Sequence, residues 1–257
     1  MLKLWKNVDL KDSQLLLSFS SVGLSGNFAS SILINNHNFE NVGFLFSKYL
    51  LPYAGINEET GRINYNGQCY FNSEKKILLI NFHAGVPHHY RNLFCEEILL
   101  LCDKYCLKNI TIYGGISKGY LNDEELRNIN IQVYYLTNDE YFDGSKFGIK
   151  NFESLVKLEK KKKPLEETMY IEQCGVAKHL VKFLHKKKVM FYYFFVFSLE
   201  LFDPSAGLAL YFRLSNLLNL SLENLTVQKS EKNLTGLLEN IEQKFKIEKT
   251  WKLFLKE

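Results

Sequence analysis

The feature that most constrains the fold is an aromatic run, VMFYYFFVFSL, at residues 189–199. Aromatic and β-branched side chains favour extended strands. The run is too short for a membrane span, which needs roughly 20 apolar residues, and Ser198, Glu200 and Asp203 interrupt it. We therefore predict a central strand buried on both faces of a sheet, and no membrane association.

The first part of the chain alternates between strand-like and helix-like patterns. A compact apolar run at residues 15–22 stops at Gly23, and Asn27 is suited to cap a short helix that carries Phe28 and Ile32. A second strand pattern follows at residues 41–46. This order predicts a βαβ unit, with a parallel pair of strands and a helix across one face.

The next segment predicts a hairpin and a long helix. Strand-like runs at 62–71 and 75–82 are joined by a short polar turn, so the sheet should be mixed. After Pro87 the apolar residues recur at helical spacing. They are Phe94, Cys95, Ile98, Leu101, Cys102 and Tyr105. Two further strands are predicted, at 109–113, ending at Gly114 and Gly115, and at 131–136.

From residue 138 to Pro164 the periodicity decays and ends in four consecutive lysines. Like charges repel and gain nothing from burial, so we predict a mobile Lys-rich excursion. Helices are predicted at 175–185, after the Asp203-Pro204 start signal, and at 234–245. Together these elements predict a single α/β domain over residues 1–257, a three-layer mixed sheet with helices on both faces.

Charge and cysteine content narrow the function classes. The net charge is +4, but only four of the cationic residues are arginines and 28 are lysines. Arginine is the better reader of phosphates and guanine edges, so nucleic-acid binding is disfavoured. The charged first residues contain no apolar signal segment, and five cysteines do not make a paired framework. We expect an unexported protein with free thiols.

One motif predicts catalysis. Gly115-Ile-Ser117-Lys-Gly119 fits a nucleophile elbow after a strand. In a serine hydrolase Ser117 would attack a carbonyl, His179 or His185 would take its proton, and Asp143 or Asp139 would orient that base. The polar sequence after Gly119 and the irregular surroundings of both acids argue for a structural turn instead.

Phosphate and metal sites have less support. The Gly23-Leu-Ser-Gly26-Asn27 turn lies where a nucleotide loop would, but it lacks a third glycine and a lysine. Cys95, Cys102 and Cys106 are better explained as a buried thiol face than as metal ligands. The histidines around Pro87, which are His83, His88 and His89, have no acidic partner nearby in sequence. No cofactor or metal is expected.

Five strings along the chain resemble the pattern of one protein family. Residues 21–29 (SVGLSGNFA) resemble its first strand-to-helix turn, S-V-G-N-V-G-Q, and residues 42–46 with Pro52 and Gly55 resemble its second-strand segment. Residues 94–96 open the long helix as in the family, DPSAGLA at 203–209 matches a later helix, and WKLF at 251–254 resembles its closing W-x-L-F. Together these strings resemble the proteasome assembly chaperone 2 family. The positions carried over are Gly23, Gly26, Asn27, Gly43, Pro52, Gly55, Gly175, Asp203, Gly207 and Trp251.

The resemblance implies a fold like that of purine nucleoside phosphorylases without their active site. It implies a non-enzymatic chaperone that acts in a heterodimer with proteasome assembly chaperone 1, binds proteasome α-subunits and promotes formation of the α-ring of the 20S core particle. The implied compartment is the cytoplasm, with the nucleus as a second one. A nucleoside-binding enzyme, suggested by the fold alone, stands beside the serine hydrolase as an alternative.

Two positions depart from the family pattern. Leu24 stands where the family usually has Asn, which puts a polar role of that turn in doubt. The chain ends in Phe254-Leu-Lys-Glu257, without the hydrophobic-Tyr-X tail that some assembly chaperones insert between α-subunits. Docking through a tail is therefore expected from the partner chaperone.

Overall fold

The computed structural model describes residues 1–56, 61, 63–118, 131–152, 175–198 and 202–220. The elements of these segments are β1 (Leu2–Leu4), β2 (Gln14–Ser18), α1 (Ser25–Asn36), β3 (Glu40–Leu45), β4 (Ala54–Ile56), β5 (Ile63–Tyr65), β6 (Gln68–Asn72), β7 (Ile77–Asn81), α2 (Arg91–Tyr105), β8 (Ile110–Ser117), β9 (Val133–Thr137), β10 (Lys150–Asn151), α3 (Gly175–Lys186), β11 (Phe191–Ser198) and α4 (Pro204–Leu217). The helix predicted at 234–245 and the four-lysine run lie outside the described residues.

Nine of these strands form one mixed sheet in the order β1-β3-β6-β7-β2-β8-β11-β9-β10, and β4 pairs with β5 in a small separate hairpin. Strand β2 is parallel to both of its neighbours, β7 and β8, and β8 is also parallel to β11. These four strands therefore point the same way. Strand β3 points the same way, because it is antiparallel to β6, which is antiparallel to β7. The prediction of a mixed sheet is confirmed.

Helices cover both faces of the sheet. Helices α2 and α3 pack together over one face, where Phe94, Ile98 and Leu180 belong to one buried cluster. Helices α1 and α4 pack over the other face, where Phe28, Leu210 and Tyr211 belong to a second cluster. The predicted three-layer α/β architecture is confirmed.

The aromatic run is the buried strand that the sequence predicts. Strand β11 lies between β8 and β9, and every residue from Phe191 to Ser198 is buried except the half-buried Tyr192. Alternate side chains enter the two clusters, Phe195 on the α2–α3 side and Phe194 on the α1–α4 side. A strand covered on both faces needs apolar residues at every position, which explains the unbroken run.

Strands β2 and β3 are parallel and α1 connects them, as the predicted βαβ unit requires, although β7 and β6 lie between the two strands in the sheet. Other predictions about local structure are wrong. Strand β8 does not end at Gly114 and Gly115 but continues through them to Ser117. The run at 62–71 is split between two sheets, because β5 pairs with β4 and only β6 pairs with β7. A strand's partners depend on the whole sheet, which local pattern does not record.

A further correction concerns the predicted mobile excursion. Its first part, residues 138–152, is structured: the Asn138 side chain donates to the Val189 carbonyl at 2.8 Å and accepts from the Phe191 amide at 3.1 Å. Phe142 packs against Tyr135 and Phe194. The remainder, from residue 153, lies outside the described residues. These anchoring contacts join residues that are far apart in sequence, so local periodicity does not predict them.

Candidate functional site

The strands β2, β3, β7, β8 and β11 all end at one edge of the sheet, called here the carboxyl edge. In open α/β sheets ligands and partners bind at this edge, because the loops that leave the strands meet there. The loops after β2, β3 and β7 carry residues 19–24, 46–53 and 82–90. This edge is the candidate functional site.

One buried side chain joins two of these loops. Asn66, in the turn between β5 and β6, donates to the carbonyls of Leu51 at 2.9 Å and Ala84 at 3.2 Å. Its carbonyl oxygen accepts from the backbone amides of His83 at 3.1 Å and Ala84 at 3.2 Å. A single asparagine therefore satisfies backbone groups in the loops after β3 and β7 and fixes their relative position.

A second set of polar contacts joins α1 to the same edge. The Asn27 side-chain amide donates to Asn81 Oδ1 at 3.0 Å and to the Phe82 carbonyl at 2.9 Å. Asn27 lies inside α1, which begins at Ser25, so the prediction that it caps the helix is wrong. Its side chain points inward because α1 begins directly above the ends of β2 and β7.

A buried chain of hydroxyls connects α1, β11 and α4. The hydroxyls of Ser25 and Ser198 lie 3.0 Å apart, and Ser198 donates to Asp203 Oδ2 at 3.2 Å. Asp203 Oδ1 accepts from the Ala206 amide at 3.0 Å and so caps α4, as predicted. The Asp203 amide in turn donates to the Gly23 carbonyl at 3.0 Å. These groups satisfy one another and serve to hold the edge together.

His83, in the loop after β7, is a neutral imidazole at the carboxyl edge. Burial lowers its pKa to about 4. The Asn81 side-chain oxygen accepts from Asn27, which orients the Asn81 side-chain amide. Its nitrogen lies 3.4 Å from His83 Nε2 and can donate only to an unprotonated imidazole nitrogen. The ring stacks on Tyr53, which leads into β4. His83 is half-buried and supports the loop after β3 through its stack on Tyr53.

The loops after β3 and β7, fixed in this way, present large apolar side chains to solvent together with the β4–β5 hairpin and the start of α2; these side chains are called here the apolar edge surface. It consists of Phe46, Leu51, Tyr53, Ile56, Ile63, Tyr90 and Leu93. Ile56 is 73% exposed and Phe46 is 59% exposed. Ile56 and Ile63 are paired across β4 and β5, and the Tyr49 and Tyr90 rings join the loops after β3 and β7. Clustered apolar exposure of this kind marks interaction sites.

The structure does not assemble the predicted hydrolase triad. Ser117 is the last residue of β8, is 6% exposed, and points to the α1–α4 side, because its neighbour Ile116 packs on the α2–α3 side. His179 is on α3, over the opposite face. Asp143 begins a short 3-10 helix, where its carboxylate accepts from the Ser145 amide at 3.0 Å. Hydrogen bonds from the Ser145 side chain and, to a smaller extent, from its amide lower the Asp143 pKa.

The alternative triad members are equally separate. Asp139 accepts from the Tyr192 hydroxyl at 2.7 Å near the opposite edge, and His185 lies near the end of α3. Gly115, inside the predicted elbow, is instead a close-approach position in a strand, because a β-carbon there would overlap the Val22 carbonyl oxygen. The motif reflects packing of the loop after β2 against β8.

The family-motif positions are distributed over the fold. Gly23, Gly26 and Asn27 lie at the start of α1, and Asp203 and Gly207 lie at the start of α4. Gly207 is a contact point of the two helices, since a β-carbon there would lie 3.1 Å from the Ser25 carbonyl oxygen. Gly175 begins α3. The positions nearest the apolar edge surface are Pro52 and Gly55, Gly43 lies in β3, and Trp251 is outside the described residues.

In the segments that the structure describes, no group of three or more metal-ligating side chains comes together, and no helix is long and apolar enough to cross a bilayer. Cys95 and Cys102 are buried, and burial raises the pKa of each thiol to about 12. Cys106 is exposed beyond the end of α2. The predicted thiol face thus contains two of the three cysteines.

Comparison with known proteins gives the family. A model of the PAC2 family matches residues 15–241, which is most of the chain. The chain belongs to the PAC2 family. This confirms the resemblance found in the sequence strings, and it places the α1 turn, the carboxyl edge and α4 of this PAC2-family chain within the matched region.

Curated relatives agree with this assignment. Proteasome assembly chaperone 2 of Mus musculus is 24% identical over 135 residues, 50% of this chain and 51% of the mouse protein. The protein of the same name from Nematostella vectensis is 23% identical over 130 residues, 47% of this chain and 53% of that protein. The PAC2-family chain thus spans about half the length of the curated relatives it matches.

The solved structures share the fold. Pyrococcus furiosus PbaA, an archaeal homolog of proteasome-assembly chaperone, gives a TM-score of 0.66 at 18% identity, covering 94% of this chain and 87% of PbaA. Pyrococcus furiosus PbaB, an archaeal proteasome activator, gives a TM-score of 0.62 at 13% identity, covering 95% and 94%.

Sequence reasoning missed three features of the site: Asn66, the half-buried His83 as a support, and the apolar edge surface. Residues 46–56 contain isolated apolar side chains among turn-forming residues, without period two or period 3.6. Large apolar residues in a segment without helical or strand periodicity were the available signal for an exposed apolar surface. Without such a period they do not share a face of a helix or strand that could pack into the core.

Proposed function

We propose that this PAC2-family chain is a non-enzymatic chaperone for assembly of the 20S proteasome core particle. It would act in a heterodimer with proteasome assembly chaperone 1, bind proteasome α-subunits and promote α-ring formation. The family assignment supports the class of function, and the apolar edge surface is the single structural observation that carries a protein-binding role. The cytoplasm, with the nucleus as a second compartment, is part of the same proposal.

The physical argument rests on how the apolar edge surface is held. Its side chains stay exposed in the isolated chain, yet the loops that carry them are tied by Asn66 and by the Tyr53–His83 stack. A preformed apolar surface loses little conformational freedom on binding, so more of its burial contributes to affinity. A stable dimer needs about 800 Å² buried on each partner, and a surface built from two loops, the β4–β5 hairpin and the start of α2 can contribute to such an area.

Reconstitution tests the proposal. The full chain is co-expressed with proteasome assembly chaperone 1 and the α-subunits, and complexes are separated by size-exclusion chromatography and identified by mass spectrometry. We expect a stable two-chaperone complex that binds α-subunits and increases the yield of α-rings. Isolation of the chain alone, with no effect on ring yield, would contradict the proposal.

The chain offers a matched pair of surface variants. Ile56→Asp places a charge in the apolar edge surface, whereas Leu100→Asp places one at a similarly exposed apolar side chain midway along α2. Ile56→Asp should weaken complex formation by about tenfold or more, equivalent to about 1.4 kcal/mol. Leu100→Asp should leave it unchanged. Equal effects of the two variants would exclude this edge as the binding surface.

A further inference from the structure

The chain contains a single asparagine–glycine pair, Asn66 and Gly67. Asparagine is a thermolabile residue. Glycine has no side chain, so its backbone nitrogen reaches the side chain of a preceding asparagine more easily than the nitrogen of any bulkier residue. The pair is therefore the sequence in this chain most susceptible to deamidation. It lies in the turn between β5 and β6, where Asn66 joins the loops after β3 and β7.

Deamidation needs only water as a co-reactant. The Gly67 backbone nitrogen attacks Cγ of Asn66 and forms a new C–N bond, the bond from Cγ to Nδ2 breaks, and the proton of the Gly67 amide leaves with ammonia. Water then opens the resulting succinimide ring. Opening at Cγ leaves aspartate at residue 66, whereas opening at the main-chain carbonyl leaves isoaspartate, in which the backbone runs through the former side chain. Either product has a carboxylate in place of the amide.

The fold requires both members of this pair. Gly67 has a φ of 72°, in the left-handed region that favours glycine. A β-carbon there would also lie 3.2 Å from the Leu45 β-carbon and 3.3 Å from the Phe82 ring. Asn66 needs its amide nitrogen as a donor to two carbonyls and its oxygen as an acceptor from two backbone amides. An ionised aspartate of the same length has no hydrogen to donate. The structure therefore keeps a labile sequence at the centre of the site.

In the folded chain the same contacts protect Asn66. Its side chain is buried, and Nδ2 donates to the Leu51 carbonyl at 2.9 Å and to the Ala84 carbonyl at 3.2 Å. Attack by the Gly67 nitrogen requires Cγ to turn away from these partners and Nδ2 to leave as ammonia. The Gly67 carbonyl also accepts from the Leu45 amide at 2.8 Å, which ties the turn to β3. Deamidation therefore requires the two loops to open, and its rate follows the population of the open state.

We propose that Asn66 is a deamidation site whose modification irreversibly releases the loops that carry the apolar edge surface. A carboxylate at residue 66 would place an acceptor against the Leu51 and Ala84 carbonyls, where a donor is needed, and would bury a negative charge. Isoaspartate would also lengthen the backbone between β5 and β6. The loops could then not return to their original arrangement. The reaction and its effect on the loops need no partner, so they stand apart from the proposed function.

Ageing of the full chain in water labelled with heavy oxygen tests the reaction. The water that opens the succinimide leaves its oxygen in the new carboxylate, so mass spectrometry of the peptides distinguishes deamidation during the incubation from deamidation during digestion. In urea Asn66 should react faster than every other asparagine. In native buffer its rate should be lower by about tenfold or more, equivalent to about 1.4 kcal/mol of loop-opening free energy. A native rate equal to the rate in urea, or a faster reaction of another asparagine in urea, would overturn the proposal.

Matched variants test whether loop opening limits the reaction. Tyr53→Ala removes the ring that stacks on His83, whereas Tyr141→Ala removes an exposed ring from the turn after β9. Both variants keep Asn66 and Gly67. Tyr53→Ala should increase the native deamidation rate by about threefold or more, and Tyr141→Ala should change it by less than about twofold. Equal rates in the wild type and in Tyr53→Ala would overturn the proposal, because the reaction would then not follow the opening of the loops.

The effect of the modification is measured on the aged chain itself. Ion-exchange chromatography separates the deamidated chain, which carries an additional negative charge, from the unmodified chain. Hydrogen–deuterium exchange at residues 46–53 and 82–86 should be faster in the deamidated fraction. Freshly prepared Asn66→Asp should reproduce this increase, and Asn92→Asp, which adds a charge at an exposed residue of α2, should not. Unchanged exchange in the deamidated fraction would overturn the proposal.

The reconstituted complex separates this proposal from the proposed function. If the unmodified chain binds proteasome assembly chaperone 1 and α-subunits and the deamidated fraction binds them equally well, the proposed function stands and the release of the surface by deamidation is wrong. If deamidation opens the loops as described but neither fraction binds a proteasome component, the deamidation site stands and the proposed function is wrong.

Discussion

The ring of Tyr53 lies against the imidazole of His83, with centroids 4.9 Å apart and planes inclined by 16°. Tyr53 belongs to the loop after β3 and His83 to the loop after β7, so the stack joins these two loops. Tyr53, which is part of the apolar edge surface, is thus packed against a neutral histidine. The stability of the surface should therefore depend on keeping that histidine unprotonated.

Lowering the pH should destabilise the protein through His83. Its pKa is about 4 in the fold, below the ordinary value of 6.5, so the unfolded chain binds more protons between these values. The stabilisation is complete above about pH 6.5 and is lost as the pH falls towards 4, by up to about 3 kcal/mol. Urea unfolding across this range should show the loss.

The matched control is the exposed His89. His83→Gln should lower stability at neutral pH and flatten this part of the pH dependence, whereas His89→Gln should keep the wild-type slope. An unchanged slope in His83→Gln would show that other groups cause the acid sensitivity.

Removing the Asn66 side chain should loosen the apolar edge surface. Asn66→Ala eliminates four hydrogen bonds: the amides of His83 and Ala84 lose their acceptor, and the carbonyls of Leu51 and Ala84 lose their donor. We expect a loss of about 2 to 4 kcal/mol in the free energy of unfolding. Hydrogen–deuterium exchange should rise in residues 46–53 and 82–86.

Asn92→Ala provides the comparison, because Asn92 is exposed on the first turn of α2. It should change the unfolding free energy by less than about 0.5 kcal/mol. If Asn66→Ala exchanged like wild type in both loops, Asn66 would not be what fixes them.

A β-carbon at Gly43 should break the edge pairing of β1 and β3. Gly43 is paired with Leu4, and a β-carbon at this position would overlap the Lys3 carbonyl oxygen. Gly43→Ala should lower the free energy of unfolding by about 2 kcal/mol or more, because backbone must move to relieve the overlap. At Gly85 a β-carbon would have no heavy atom within 4 Å. Thermal unfolding of Gly85→Ala should therefore resemble wild type, and similar destabilisation of both variants would disprove the steric explanation.

Ser117 should not react as a catalytic nucleophile. It is buried on the α1–α4 side of the sheet while His179 lies over the opposite face, so no histidine of α3 can take its proton. A fluorophosphonate probe should give the same signal, at background level, for the wild type and for Ser117→Ala. Labelling that disappears in the alanine variant would restore the hydrolase hypothesis.

Much of the fold followed from local pattern. The aromatic run predicted β11, the helical spacing from Phe94 predicted α2, and Asp203-Pro204 predicted the start of α4. Each signal was local, because a strand buried on both faces, an amphipathic helix and a helix cap are properties of a few neighbouring residues. The prediction of one domain over the full length stays a prediction.

The arrangement of the site could not be predicted from local sequence. Asn27 resembled a helix cap in sequence, and only the position of α1 above β2 and β7 turned it towards Asn81. Ser117 fitted a catalytic motif, and only its register in β8 placed it on the face away from His179. Side-chain direction in a strand changes with a shift of one residue, so a motif cannot fix it.

By itself the sequence determined a mixed three-layer α/β fold and the family, because both are recorded in the order of hydrophobic patterns and short strings along the chain. The tertiary structure decided which side chains meet. Asn66, His83 and Tyr53 come from three segments and meet only because β3, β6 and β7 lie side by side in the sheet. An interaction surface built from two loops, the β4–β5 hairpin and the start of α2 depends on that pairing, and strand pairing is set by contacts across the whole sheet.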